Sequence, residues 1–312
     1  MLLSRFTAPD RAANIPEFVN AGPAGIARIQ EQFLDALSYV RAGHSLRLAG
    51  DMAAAARRYR KALSLDARCA EAHIYLGLTL HQQDALDQSA AHLLEGIRLA
   101  PENAEAHLQL GLVRAQEGKT EEAERLLRAA IAFSPDLARA HGALGLLLEQ
   151  QGRQEQALDE YSQAVRLDPT DALARMTLGL LLCRLARIEQ AVVHLREAVE
   201  LQPADGILKC VLGEALTQLG RHDEALRLLT DAARLAPHSA EARQALGAAL
   251  LRRGDLDEAV EQLLEAARLE PGRLGLAPSL RAAAGMAQAA GRPELARRIT
   301  AAIRASSAAP HK

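Results

Sequence analysis

Ala104–Gly118 reads AEAHLQLGLVRAQEG, and upstream Ala70–Asp84 reads AEAHIYLGLTLHQQD. A shift of 34 residues lays one on the other, with Glu71 on Glu105, His73 on His107 and Leu76-Gly77-Leu78 on Leu110-Gly111-Leu112. The same shift carried along the chain aligns the blocks 36–69, 70–103, 104–137, 138–171, 172–205, 206–239 and 240–273 without a gap. A fixed period of this length marks a chain built by stacking one supersecondary unit, and it overrides the two-domain expectation that 312 residues would otherwise raise.

The unit itself follows from where apolar and small residues fall. Places 4, 7, 8 and 11 of each block share one helical face, and places 20, 24 and 27 share another, so each block reads as two amphipathic helices. The eighth place is Gly43, Gly77, Gly111, Gly145, Gly179, Gly213 and Gly247, and the twentieth is Ala55, Ser89, Ala123, Ala157, Ala191, Ala225 and Ala259. Small residues on facing helices let the two axes approach closely. Gly50, Gly118, Gly152, Gly220 and Gly254 stand where the first helix should end, since glycine takes the left-handed terminal conformation without strain. Pro101, Pro135, Pro169, Pro203, Pro237 and Pro271 close the second helix, because proline cannot continue the hydrogen-bond ladder.

This pattern resembles the tetratricopeptide repeat, whose period is 34 and whose signature has Leu-Gly early, alanine in the second helix and proline at the end. The resemblance covers residues 36–273 and implies an all-α chain, a right-handed α-solenoid of helix-turn-helix repeats. One departure is systematic. Where the family often has tryptophan at the fourth place, this chain has Tyr39, His73, His107, His141, Arg175, Lys209 and Arg243.

Beyond Arg273 the register slips by three residues, and 277–306 reads as a degenerate repeat that caps the array, with Leu295, Ile299 and Ile303 as its apolar stripe. At the other end, the spacing of Ile26, Ile29, Phe33, Leu37 and Val40 makes 23–35 a helical extension or cap of the first repeat. Residues 1–22 show no period and read as a mobile tail, as do 307–312.

Composition narrows the function further. Lys plus Arg (37) and Asp plus Glu (39) nearly cancel, which leaves no electrostatic footprint for nucleic acid. The body, 69–273, is acidic, with 21 basic against 32 acidic residues, and both ends are mildly basic. Cys69, Cys183 and Cys210 have neither a CxxC spacing nor an even count, so they read as reduced thiols. No apolar run of signal or membrane-spanning length is present, so a cytoplasmic location, not embedded in a membrane, is expected.

Catalytic and metal constellations find no support. There is no GxSxG, GxxxxGK or HExxH, and only 39 residues follow the last block. The series His73, His107, His141 falls on neighbouring helices whose axes pack roughly 8–10 Å apart, whereas a zinc ligand must lie about 2.0–2.1 Å from its ion. Packing histidines are expected instead. Acidic runs such as Glu121, Glu122 and Glu124 open a second helix, where they favour the positive end of its dipole. No cofactor, metal or catalytic residue is therefore expected, and the chain reads as non-enzymatic.

One surplus remains. Places 2, 5, 9, 12 and 13 form a second stripe on the first helices, by the 100° helical step. In a lone chain that stripe should be polar, yet its fifth and ninth places carry Ile74, Leu78, Leu108, Leu112, Leu146, Met176 and Leu180. In the tetratricopeptide family this face lines the concave groove, so the resemblance implies that these seven residues line it here. Lys and Asn do not occupy the fifth and ninth places as the family's carboxylate clamp needs, nor does asparagine recur at the sixth. The expected function is thus a protein–protein interaction adaptor that takes an apolar or amphipathic partner segment. Two alternatives stay open: a self-assembling scaffold, hence a homo-oligomer, and an accessory subunit of an enzyme or of a secretion or assembly system whose catalytic chain is separate.

Overall fold

The computed structural model describes residues 23–271, 273 and 275–308, with side-chain surroundings within 34–305. The tail expected at 1–22, residues 309–312 of the one expected at 307–312, and the side chains of Ile26, Ile29 and Phe33 lie outside that description, while 307–308 continue the last helix.

Sixteen helices and no strand make up the described residues. They are α1 (Pro23–Leu48), α2 (Met52–Leu65), α3 (Ala70–Gln82), α4 (Leu86–Leu99), α5 (Ala104–Gln116), α6 (Thr120–Phe133), α7 (Ala138–Gln150) and α8 (Gln154–Leu167). There follow α9 (Ala172–Arg184), α10 (Ile188–Leu201), α11 (Gly206–Gln218), α12 (His222–Leu235), α13 (Ala240–Arg253), α14 (Leu256–Leu269), α15 (Leu276–Ala289) and α16 (Pro293–Ala308). Within each unit, odd and even helices pair in sequence as the helix-turn-helix repeats of an α-solenoid. The chain divides within α7 into two compact units, residues 1–147 and 148–312.

In the repeats that lie within one unit the pair is locked by glycine at the eighth place under a large residue at the twenty-fourth. A methyl group on Gly77 would sit 2.7 Å from Leu93 Cγ, and one on Gly213 2.7 Å from Leu229 Cγ. The twentieth place is buried beside it. Where repeat two has Ser89 instead of alanine, the buried hydroxyl donates to the Gly77 carbonyl at 2.7 Å, so the polar atom is satisfied.

Aspartate, asparagine and serine at the thirty-fourth place fix where several first helices start. Asn103 accepts from Ala106 N, Asp171 from Leu173 N and Ala174 N, Asp205 from Ile207 N and Leu208 N, and Ser239 from Ala242 N. The residues at the fourth place, where aromatic packing would be usual in the family, reach back over the same turn. His73 Nε2 lies 3.2 Å from Ala67 O and His141 Nε2 3.1 Å from Pro135 O, while Arg175 Nε donates to Pro169 O at 2.8 Å and Arg243 Nε to Pro237 O at 2.9 Å. Their far ends then meet the second helix: His73 meets His92, Arg175 meets Glu197, Lys209 meets Asp231 and Arg243 meets Gln262. A polar tie between turn and helix pair replaces the apolar plug.

A similar exchange occurs at the eleventh place of repeat three. Arg114 stands where the other repeats have leucine, and it is held against Glu117 at 2.7 Å and Glu122 at 3.1 Å with little exposure. The Lys119 ammonium and the Arg114 guanidinium hold the Glu117 carboxyl below the usual carboxylate range.

In the second unit, α15 and α16 finish the array. Leu276, Leu280, Ala283 and Ala287 of α15 and Ile299 of α16 join one core with Val260, Leu263 and Ala266 of α14, while Leu295 and Ile303 border it. Arg297, Arg298 and Arg304 face water.

Candidate partner-binding face

In the second unit the first helices of successive repeats lie against one another, α9 on α11, α11 on α13 and α13 on α15; among its described second helices, α14 and α16 come as close. Residues at places 2, 5 and 9 of these helices divide between the packed interior and the surface.

The structure redistributes the seven residues expected to line this face. Ile74, Leu78 and Leu108 are core residues, exposed by only 2, 8 and 1%, so their assignment to a surface groove is corrected. For Ile74 the cause is visible. Its partner at the twenty-seventh place is Gly96, and a methyl there would lie 2.6 Å from Ile74 Cγ1, so the absent side chain lets Ile74 sink between α3 and α4. Of the others in the first unit, Leu112 is half-buried and Leu146 is 49% exposed.

The second unit carries the larger apolar exposure. Along α9, Met176 is half-buried and Leu180 exposed, while Leu178, Leu181 and Leu182 fill the core. Two second-place residues join them, Leu173 at 63% exposed and Ile207 at 57%. Sequence reading had placed the second position on this stripe but had read only the fifth and ninth. The caps explain their posture: Asp171 and Asp205 start α9 and α11, so Leu173 and Ile207 stand in the first turn, where few neighbours cover them. Gly206 permits this start, since a methyl group there would meet Ala232 O at 3.2 Å.

Beyond Ile207 the face turns polar. Between α11 and α13 runs a cleft of about 300 Å³, with Glu214, Thr217 and Gln218 on one wall, Gln244, Ala245, Ala248 and Arg252 on the other, and Leu229 behind. Glu214 is exposed at the mouth of the cleft, and partial desolvation there, with the nearby Glu241 charge, pushes its carboxyl above the usual range against the opposing pull of Arg273. Burial likewise raises the Cys183 thiol, and the Cys210 thiol to about 12, so neither is a reactive thiolate at neutral pH. Cys183 and Cys210 are free thiols.

A second depression, about 250 Å³, lies on the opposite side among Leu158, Leu178, Val193 and His194 of α8, α9 and α10. His194 there is kept below its ordinary pKa, first by burial and then by Arg175. Among the described residues no three His, Cys, Asp or Glu side chains converge as a metal site requires, and no helix is long and apolar enough to cross a membrane.

Comparisons with known proteins agree with this architecture. A family model described as "Cilia and flagella-associated protein 70 C-terminal domain" matches residues 19–225, and one described as "Tetratricopeptide repeat" matches residues 210–273. No curated protein sequence matches the chain. Among solved structures it is similar to YrrB, described as a TPR protein with an unusual peptide-binding site, at 23% identity over 62% of this chain and 98% of that one, with a TM-score of 0.54. PilF of Pseudomonas aeruginosa shares 24% identity over 66% of this chain and 93% of that one, with a TM-score of 0.59. In the APC/C hetero-tetramer Cut9-Hcn1 the match is 20% identical, covers 86% of this chain but only 52% of that one, and has a TM-score of 0.55. At these identities the structures speak to the fold alone. With two family models spanning 19–273 between them and the helix pairs in the same frame, the chain belongs to the tetratricopeptide repeat family, most of it, residues 19–225, within the domain family of cilia and flagella-associated protein 70.

Proposed function

We propose that this chain is a non-enzymatic protein–protein interaction adaptor and that the first-helix face of residues 148–312 receives an amphipathic helical segment of a partner protein. Tetratricopeptide repeats typically serve protein–protein interaction, and the observation that carries the finer reading is the exposure of Leu173, Leu180 and Ile207 around half-buried Met176. Leu173, Met176 and Leu180 recur at intervals of three and four, so they form one ridge along α9. A partner helix with the same spacing would cover that ridge, the helix-in-groove mode of recognition. Its other face must be polar, because Glu214, Gln218 and Arg252 border the apolar part.

Peptide display tests this reading. A random library of 16-residue peptides panned on the full chain should yield sequences with apolar residues at i, i+3 or i+4, and i+7. Burying a leucine contributes roughly 1.5–3 kcal/mol, so Leu173→Glu with Leu180→Glu should weaken the selected peptides by about a hundredfold or more while far-UV helicity is kept. Selection of no peptide, or equal binding by the double variant, would refute the assignment.

A further inference from the structure

The ninth place is leucine in repeats two to five, Leu78, Leu112, Leu146 and Leu180, and becomes glutamate in the sixth, Glu214. The cleft beside it exists because the sixth and ninth places of the next repeat are Ala245 and Ala248, which leave the space between α11 and α13 unfilled. About 300 Å³ is roughly ten times the 30 Å³ share of one water, room for one long side chain of a bound molecule.

The walls decide what kind. Among the described residues no hydrogen bond or ion pair engages the Glu214 carboxylate. Arg273, the cation whose field reaches it, is committed elsewhere: its Nε donates to Gln244 Oε1 at 3.0 Å, and its terminal nitrogens lie 2.9 Å from Glu270 and 3.6 Å from Glu241. Thr217 spends its one proton on Gly213 O at 2.8 Å, so toward the cleft its hydroxyl is an acceptor. Gln218 adds an amide that accepts as well as donates. Arg252, an exposed residue, closes the far wall. An unpaired carboxylate beside a second acceptor, in a slot long enough for an alkyl stem, complements a donor-only cation. Lysine offers three donors and arginine five.

Resting on the groove reading above, we infer that this cleft is the receptor for a lysine or arginine side chain of the bound partner segment, with Glu214 as the residue that recognises it. Glu214 feels the nearby Glu241 charge and, among the described residues, has no ion pair of its own, so an incoming cation finds an uncompensated carboxylate at the mouth of the slot. Glu214 follows Ile207 by two helical turns on α11, so the basic residue lies about 10 Å along the axis from the apolar anchor that meets Ile207. Apolar strip and acidic slot together select an amphipathic basic helix over a purely apolar one.

The peptides obtained by display on the full chain supply the probe. Most of them should carry lysine or arginine at one fixed distance from their apolar anchors. Replacing that residue by norleucine should weaken binding to the native chain about ten- to a hundredfold, the range for a charge-assisted hydrogen bond. Glu214→Gln should weaken the parent peptide by the same factor and bind the parent and norleucine peptides alike. Glu214→Leu, which restores the residue of repeats two to five, serves as the second variant and should favour norleucine. Selected peptides with no basic preference, or an equal norleucine penalty in both variants, would overturn the inference while leaving the groove reading intact. So would a preference for an acidic residue that depends on Arg252. If no peptide is selected, the groove reading fails and this inference falls with it.

Discussion

At the scale of single residues, the fold turns on contacts between glycine at the eighth place and a large side chain at the twenty-fourth, and these contacts differ in tightness. A methyl on Gly179 would lie 2.6 Å from Leu195 Cγ, closer than real side chains approach, whereas one on Gly111 would lie 3.0 Å from Leu127. Glycine to alanine inside a helix gains roughly 0.8–1 kcal/mol of propensity, and overpacking a core costs roughly 1–3 kcal/mol. Gly179→Ala should therefore be destabilising by about 1–2 kcal/mol and Gly111→Ala close to neutral, as the shift in urea midpoint at constant slope will measure. Equal stabilisation by both would mean that Leu195 moves aside freely. The glycines themselves were plain in the sequence, because a small residue every 34 positions stands out. The burial of Ile74 and Leu108 was not, because the helical step assigns a residue to a face but does not say how deeply neighbouring helices cover it. Nor was the tie made by His73, His141, Arg175 and Arg243, whose acceptor is a backbone carbonyl six residues earlier and leaves no mark in side-chain pattern.

At the scale of elements, the turn between paired helices needs one residue with positive φ, and five repeats supply glycine: Gly50, Gly118, Gly152, Gly220 and Gly254. The other two make the same turn without it, through Asp84 at φ 60° and Ala186 at φ 57°. Alanine has no side-chain group to compensate, and a left-handed L-residue costs roughly 1–2 kcal/mol. Asp84 tolerates the region better and also accepts a hydrogen bond from Gln116 Nε2 at 3.1 Å. Ala186→Gly should accordingly stabilise the chain by about 0.5–1 kcal/mol after glycine's own entropic cost, and Asp84→Gly should gain less or lose. Thermal unfolding of the two variants beside the native chain decides it, and destabilisation by Ala186→Gly would show that the turn is not strained there. Helices and their pairing were legible from the period even in these two repeats, since neighbouring blocks fix the frame. The exposed Leu173 and Ile207 were harder to read, because a first-turn residue on an otherwise apolar helix differs from a core leucine only by what happens to cover it.

At the scale of the whole molecule, the described repeats within each unit pack on their neighbours in sequence, so stability should be a sum of repeat and interface contributions and damage should fade with distance. The second unit offers a clean place to observe this. Its last core couples Val260, Leu263 and Ala266 of α14 to Leu276, Leu280, Ala283 and Ala287 of α15, and α16 turns arginines outward over it. Cutting the chain after Arg273 would leave the α14 side of that core facing water, with nothing polar to take its place. The expected consequence is local: amides of α13 and α14 should exchange with solvent at least about tenfold faster, and the truncated chain should bind an apolar dye or aggregate. Those of α9 and α10, two repeats away, should keep their native protection. Were α9 and α10 to lose protection in step with α14, the unit would unfold as one cooperative body, and the apolar face on α9 would depend on the far end of the array. Were no helix to change, 277–306 would be an appendage and not a cap.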